Sequence, residues 1–344
     1  MLLLALAAMV AAQTPAERTP PARQLLTTRY EAGHFYMLGT LAAGGTLRLL
    51  VDSGGAGGSG WYVIDPQAAH RLGLKTARCT VDEDSLVVVP AIEFAPGQGW
   101  PKSAGTPCDS TALVVQGISE ESRVDGVIGA GYMPRYTWTF DYPSQKLWLE
   151  PAGWTAPADM HRAKLGYLTR TDGSWGTGFA RLRLEVAGEA LDLLLDTGAT
   201  AKPSAAGLAA THLATVHGYG VTSYITRSVL ERWHRQHPAW RVVEAGDDIF
   251  GAESATRLIE VPTVRVAGWE IGPVWFTERE DVNFNPGISQ YTDQRVEGSA
   301  GANIFAHFVM TLDYPHGAAW FACRVDCRPA DGAGAPAERA HRKP

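Results

Sequence analysis

Leu47-Arg48-Leu49-Leu50-Val51-Asp52-Ser53-Gly54 and Leu191-Asp192-Leu193-Leu194-Leu195-Asp196-Thr197-Gly198 decide how this chain reads. Each is a largely apolar run that ends in an acid, a hydroxyl residue and a glycine. A strand stopping in such a turn holds one carboxylate at its tip, and the glycine lets the backbone turn tightly behind it. Two copies can set two carboxylates face to face. Like charges that close cannot both ionise, so the pair shares a proton, and an acid and a base coexist at one site.

The copies belong to a duplication. One offset aligns Phe35 with Phe179, Gly44 with Gly188 and Asp52 with Asp196. A larger offset then pairs Val89-Pro90 with Val261-Pro262 and Arg123-Val124-Asp125-Gly126 with Arg295-Val296-Glu297-Gly298. It continues through Gly129-Ala130 against Gly301-Ala302, Thr139-Phe140-Asp141-Tyr142-Pro143 against Thr311-Leu312-Asp313-Tyr314-Pro315, and Trp148 against Trp320. A repeat this long predicts two similar lobes rather than a solenoid of short units.

The change of offset marks insertions in the second copy. Asp65-Pro66 followed by Gly73 predicts a short helix with Asp65 as N-cap. Ser228-Val229-Leu230-Glu231 reads as a capping box opening a helix that runs to about His237, before Pro238. If Tyr62 corresponds to Tyr224, the second copy carries an extra stretch over roughly 201–221, and a smaller excess between about 240 and 259. Elsewhere short runs such as Leu182-Arg183-Leu184-Glu185-Val186 alternate as strands do, between Gly- and Pro-marked turns. The chain therefore reads as mainly β, with a few short helices.

At 344 residues and 45% hydrophobic composition, the chain can bury two cores of ordinary domain size. A net charge of −6 argues against a nucleic-acid or anionic-membrane partner. Residues 1–12 form an apolar run ending Val10-Ala11-Ala12, which reads as a secretory signal although its start has no Lys or Arg. It is too short to span a bilayer. Residues 13–28 read as a flexible lead-in and 328–344 as a flexible tail. Four cysteines accord with export, periplasmic or secreted, and allow three connectivities. Cys79–Cys108 and Cys323–Cys327 are the favoured pairs, with reduced or mixed thiols as the alternative.

With the catalytic-type turns, the segment Val124-Asp125-Gly126-Val127-Ile128-Gly129-Ala130-Gly131-Tyr132 and the two Asp-Tyr-Pro strands in place, the chain resembles the pepsin-like aspartic proteases. The Asp-Tyr-Pro strand and the Ala69-to-Leu74 segment also resemble bacterial retropepsin-like proteases. The resemblance spans about residues 30–325. It implies a bilobal β fold, with lobes over 29–152 and 165–327 and a substrate cleft between them. It also implies a peptide or protein substrate, no cofactor, no metal, and a monomer, because one chain supplies both turns.

Carried over by position, Asp52 and Asp196 are the catalytic pair. Gly54 and Gly198 shape the turns, and the Ser53 and Thr197 hydroxyls brace them. Gly129 and Gly301 pack behind them. The chain departs from the family at Gly55 and Ala199, where a Ser or Thr hydroxyl normally lowers the carboxylate pKa. A mildly acidic to neutral pH optimum is therefore expected. Ser299-Ala300-Gly301 is less apolar than the family's counterpart, so looser packing behind Asp196 is expected. Residues 80–85 and 246–254 are the flap candidates.

Other readings of the same residues are weaker. Gly55-Ala56-Gly57-Gly58-Ser59-Gly60 matches a dinucleotide-binding fingerprint, but strand-like Trp61-Tyr62-Val63-Ile64 follows where that motif needs a helix. His234 and His237 have metal-pair spacing without a third ligand. Asp125, Glu297, Asp141 and Asp313 read as structural acids, and the tryptophans as core or cleft residues. The rival from a different class is a catalytically inactive binding or inhibitor protein on the same fold, whose usual sign is a lost aspartate. Both turns here keep theirs.

Overall fold

Each acidic turn follows an inner strand of a sheet built from its own half of the chain. The computed structural model describes residues 23–56, 61–81, 83–101, 108, 110–115, 124–173 and 175–330. The expected signal segment, most of the lead-in, part of the glycine-rich stretch and most of the tail lie outside them.

In the first half, eight strands run in the order Thr28–Glu31, His34–Thr40, Thr46–Asp52, Gly126–Gly129, Tyr62–Ile64, Ala112–Val114, Asp84–Val89 and Ala77–Val81. Side chains alternate in His34–Thr40, so one face packs inward and the other stays partly open. Thr46–Asp52 pairs in parallel with Gly126–Gly129, setting Asp52 opposite Gly129. Tyr62–Ile64 pairs antiparallel with that glycine-ended strand and parallel with Ala112–Val114.

The second half repeats these pairings within a ten-stranded sheet. Glu189–Leu195 runs parallel to Gly298–Ala300, with Leu194 opposite Ser299. Ser223–Thr226 lies antiparallel to that strand and parallel to Val274–Arg279. A six-stranded sheet takes strands from both halves. At its centre Thr137–Asp141 pairs antiparallel with Phe308–Asp313, placing Thr139 opposite Thr311 with their hydroxyls 2.7 Å apart. These two threonines are partners in the sequence repeat, so the repeat meets itself there. Trp138, Phe140, Phe308 and Phe321 are among the fully buried side chains of this layer.

The helices are short. Pro66–Arg71 starts as its sequence predicts, with the Asp65 carboxylate accepting from the Gln67 amide at 2.8 Å. The second helix differs from expectation at its start. It spans Arg227–Gln236 with Thr226 as N-cap, so Ser228 lies in the first turn, where its amide donates to Asp281 at 3.0 Å. The strand ending at Thr226 dictates where the helix opens, which overrides the local capping-box pattern. Val229, Leu230 and Trp233 fill its buried face.

The inserted stretch is ordered. Thr200–Ala201 and Gly220–Val221 pair as a two-stranded sheet, and Ala205–Thr211 forms a helix between them, capped by Ser204 through the Gly207 amide at 3.2 Å. Paired strands also begin before residue 29 and continue past residue 327. Gln24–Leu25 pairs with Trp148 and Leu149, and Cys327–Pro329 pairs with Trp269–Ile271, so ladder bonds reach into the lead-in and the tail. Cys79–Cys108 and Cys323–Cys327 are both bonded. Among the described residues, no helix is long and apolar enough to cross a membrane.

Candidate active site

Asp52 is the last residue of its strand and Asp196 immediately follows the corresponding one. The strands that run parallel to them fix both ends. Asp196 donates its amide to Ala300 at 2.9 Å, and the Ala130 and Gly131 amides hold the carbonyls of Gly55 and Ala56 at 2.9 Å. A Cβ on Gly129 would collide with the Gly55 carbonyl, and one on Gly301 with the Thr222 carbonyl. Glycine is therefore needed behind each turn. Ser299, Ala300 and Gly301 are buried, so packing behind Asp196 is tight rather than loose.

The two turns lock together. Ser53 donates its amide to the Thr197 hydroxyl at 3.1 Å, and Thr197 donates its amide to the Ser53 hydroxyl at 3.0 Å. The hydroxyls pass the bonds on: Ser53 Oγ donates to the Leu195 carbonyl at 2.8 Å, and Thr197 Oγ1 to the Val51 carbonyl at 2.9 Å. Four buried polar groups are thereby satisfied across the two halves.

The lock brings the carboxyls within hydrogen-bonding reach of each other. A Cβ on Gly54 would run into the Asp196 carboxyl, and one on Gly198 into that of Asp52. The Gly54 amide donates to Asp52 at 2.8 Å, and the Gly198 amide to Asp196 at 3.1 Å. The sites are nevertheless unequal. Burial raises the Asp52 pKa, while amides of Gly54, Gly55 and Gly198 and the bond to Asp196 pull it back. Asp196, only 7% exposed, is pushed well above the carboxylate range by burial and then by the neighbouring Asp52 charge. Both carboxyls are raised by burial, and two acids this close are arranged to share one proton between them.

Several neighbours that the motifs named without a role at the carboxyls lie beside them. The buried Ser299 hydroxyl makes no hydrogen bond of normal geometry, yet it lies near enough to Asp196 to favour its ionised form. It stands where the first half has Val127, so the hydroxyl missing at Ala199 is partly replaced from a different strand. Tyr142 and Tyr314, from the paired Asp-Tyr-Pro strands, lie under the site. Burial raises both phenol pKa values, and the charges of Asp196 and Asp52 respectively raise them further. Tyr224 bonds to Thr200, donating to its carbonyl at 2.5 Å and accepting from its amide at 2.8 Å.

The acids read as structural sit away from the pair. Asp125 accepts from the Arg48 amide at 2.9 Å and from Arg71, and Glu297 accepts from the Thr226 hydroxyl at 3.3 Å. Asp141 caps its turn through the Ser144 amide at 3.0 Å, and Asp313 pairs with His316 at 2.7 Å. His237 stacks on Trp240 with centroids 4.3 Å apart. The flap candidates fall on equivalent hairpins: residues 80–85, of which 82 lies outside the described residues, join Ala77–Val81 to Asp84–Val89, and residues 246–254 join Val242–Asp247 to Thr256–Val261. The second is tied to the inserted stretch, because Ser204 donates to the Gly246 carbonyl at 3.0 Å and Asp248 donates to that of Lys202 at 2.9 Å. No protein-family model matches the chain, and no curated protein matches it.

Proposed function

We propose that this chain is an aspartic endopeptidase with a pepsin-like, two-lobed fold, acting on a peptide or protein substrate. The observation that carries the reading is the carboxyl pair of Asp52 and Asp196, clamped by reciprocal Ser53 and Thr197 bonds and biased so that one member keeps a proton. The recurrence of one pairing pattern in both halves supports the duplicated fold. The two disulfides accord with an exported protein.

In this reading the two carboxyls take different roles. Asp52, steadied by amides, is the ionised member and takes a proton from a water held between the pair. The resulting hydroxide oxygen bonds to the scissile carbonyl carbon while protonated Asp196 gives its proton to the carbonyl oxygen. Collapse of the gem-diol breaks the carbon–nitrogen bond, with the proton on Asp52 passing to the leaving amine. The remaining carboxyl proton returns to Asp196 from the gem-diol hydroxyl, which restores the starting state.

The test is cleavage of denatured casein and of a peptide library by the mature protein. Activity blocked by a statine-type inhibitor and lost in Asp52→Ala and Asp196→Asn is the expected result. Absence of cleavage from about pH 3 to 8 would defeat the reading in favour of an inactive binding protein.

A further inference from the structure

The repeat predicts symmetry around the carboxyl pair, but one contact breaks it. His34, 3% exposed on the second strand of the first half, places Nε2 3.1 Å from the Thr200 hydroxyl of the second half. Thr200 donates that hydroxyl's proton to the Gly198 carbonyl at 2.8 Å, and the Gly198 amide donates to the Asp196 carboxyl. Since the hydroxyl has one proton and spends it on Gly198, Nε2 must be the donor to Thr200. Val221, from the inserted stretch, covers the same junction, because any Cβ on the preceding Gly33 would collide with it.

The offset that aligns Phe35 with Phe179 aligns His34 with Gly178 and Thr200 with Ala56. Neither has a polar side chain. Gly178 instead packs so closely on the Ala130 carbonyl that no Cβ fits. Beyond the shared Ser53–Thr197 lock, the Asp196 turn thus gains a side-chain brace that the equivalent positions of the Asp52 turn lack.

We propose that His34 is a positioning residue for the Asp196 turn, acting through Thr200 and Gly198 while its ring is neutral. The proposal rests on the aspartic peptidase reading for its kinetic consequences, though not for the contact itself. A second ring proton would place a cation in a buried site. The groups facing that site are Glu31 and Tyr36 from the first hairpin, Arg48 from the adjoining strand, and His217 and Tyr219 from the inserted stretch. Glu31 is already engaged by Arg48 at 2.6 Å, so no free carboxylate waits for an imidazolium. Burial pushes His34 down to about 4, against the backbone of Gly198 and Ala199, which bonds to the ring and favours its charged form. The brace then holds above about pH 4 and opens as pH falls through that value.

The test compares wild type with His34→Ala, His34→Gln, Thr200→Val and the His34→Ala/Thr200→Val double variant. His34→Ala and Thr200→Val should each lower kcat about tenfold with KM within about twofold, and the double variant should be no worse than the more severe single. His34→Gln keeps a donor near the Nε2 position without titrating. It should restore kcat to within about threefold of wild type and move the acid limb near pH 4 downward. Additive losses, or a His34→Gln variant as impaired as His34→Ala with its acid limb unchanged, would overturn the proposal. If wild type cleaves nothing, the peptidase reading fails by itself. The contact is then judged by a double-mutant cycle on urea midpoints, where coupling between His34 and Thr200 sustains it and additivity ends it.

Discussion

The Thr197 amide donates to the Ser53 hydroxyl at 3.0 Å while the Ser53 amide donates to the Thr197 hydroxyl at 3.1 Å, so neither acidic turn is complete without the other. Removing either hydroxyl orphans a buried amide, at a cost of about 1–3 kcal/mol. Thr197→Val and Ser53→Ala should each lower the unfolding free energy by that amount, read as a lower urea midpoint at unchanged slope. Together they should cost less than their sum, because each single change already breaks the shared lock. Equilibrium unfolding of the two singles and the double checks this.

Gly198 presses against the Asp52 carboxyl and Gly54 against that of Asp196. An added methyl in either place overlaps the opposite carboxyl group. Gly198→Ala and Gly54→Ala should therefore lower kcat by at least about 100-fold, since misplacement on the ångström scale has that effect. An alanine variant with near wild-type kcat in a single-turnover peptide assay would refute the geometry.

Asp196 has its pKa raised by burial and by Asp52, so the fold prefers its protonated form. The associated stability is fully present below the ordinary carboxylate pKa and is lost as pH rises through the raised value. Asp196→Asn keeps the side chain neutral throughout. It should abolish cleavage yet unfold at higher urea than wild type at pH 7, with the difference shrinking toward about pH 4. Urea midpoints measured across pH decide the sign.

Ser299 favours the ionised form of Asp196, the role for which Ala199 lacks a hydroxyl. Ser299→Ala should raise the alkaline limb of the kcat/KM profile, where Asp196 loses the proton it must donate, by about half to one pH unit. The wild-type optimum should lie in the mildly acidic to neutral range, because neither Gly55 nor Ala199 supplies the acidifying hydroxyl. A wild-type profile peaking below about pH 3, or a Ser299→Ala profile superimposable on it, contradicts this assignment.

Much of the candidate site was legible because its residues are short-range punctuation. Asp-Ser-Gly and Asp-Thr-Gly close apolar runs, the repeat aligned Gly129 with Gly301, and the family resemblance implied that they pack behind the turns. The capping box at Ser228 misled because a strand ending at Thr226 sets the helix start, and local side-chain patterns cannot register that constraint. The flexible readings of the lead-in and tail stopped too late and began too early. Gln24–Leu25 and Cys327–Pro329 are ordered by ladder bonds to residues far away in sequence.

The sequence by itself determined that two segments of the chain match in order, that each ends an apolar run in an acidic turn, and which cysteine pairs to favour. Those are matters of composition and spacing along one strand or one turn. Tertiary structure alone decided that the two carboxyls are unequal. Asp52 gathers amides, Asp196 lies deeper beside its charge, Ser299 reaches in from a neighbouring strand, and His34 braces one turn from the other half. Each of these depends on which groups share a small, poorly solvated space, and the electrostatic cost of that space is set by neighbours distant in sequence.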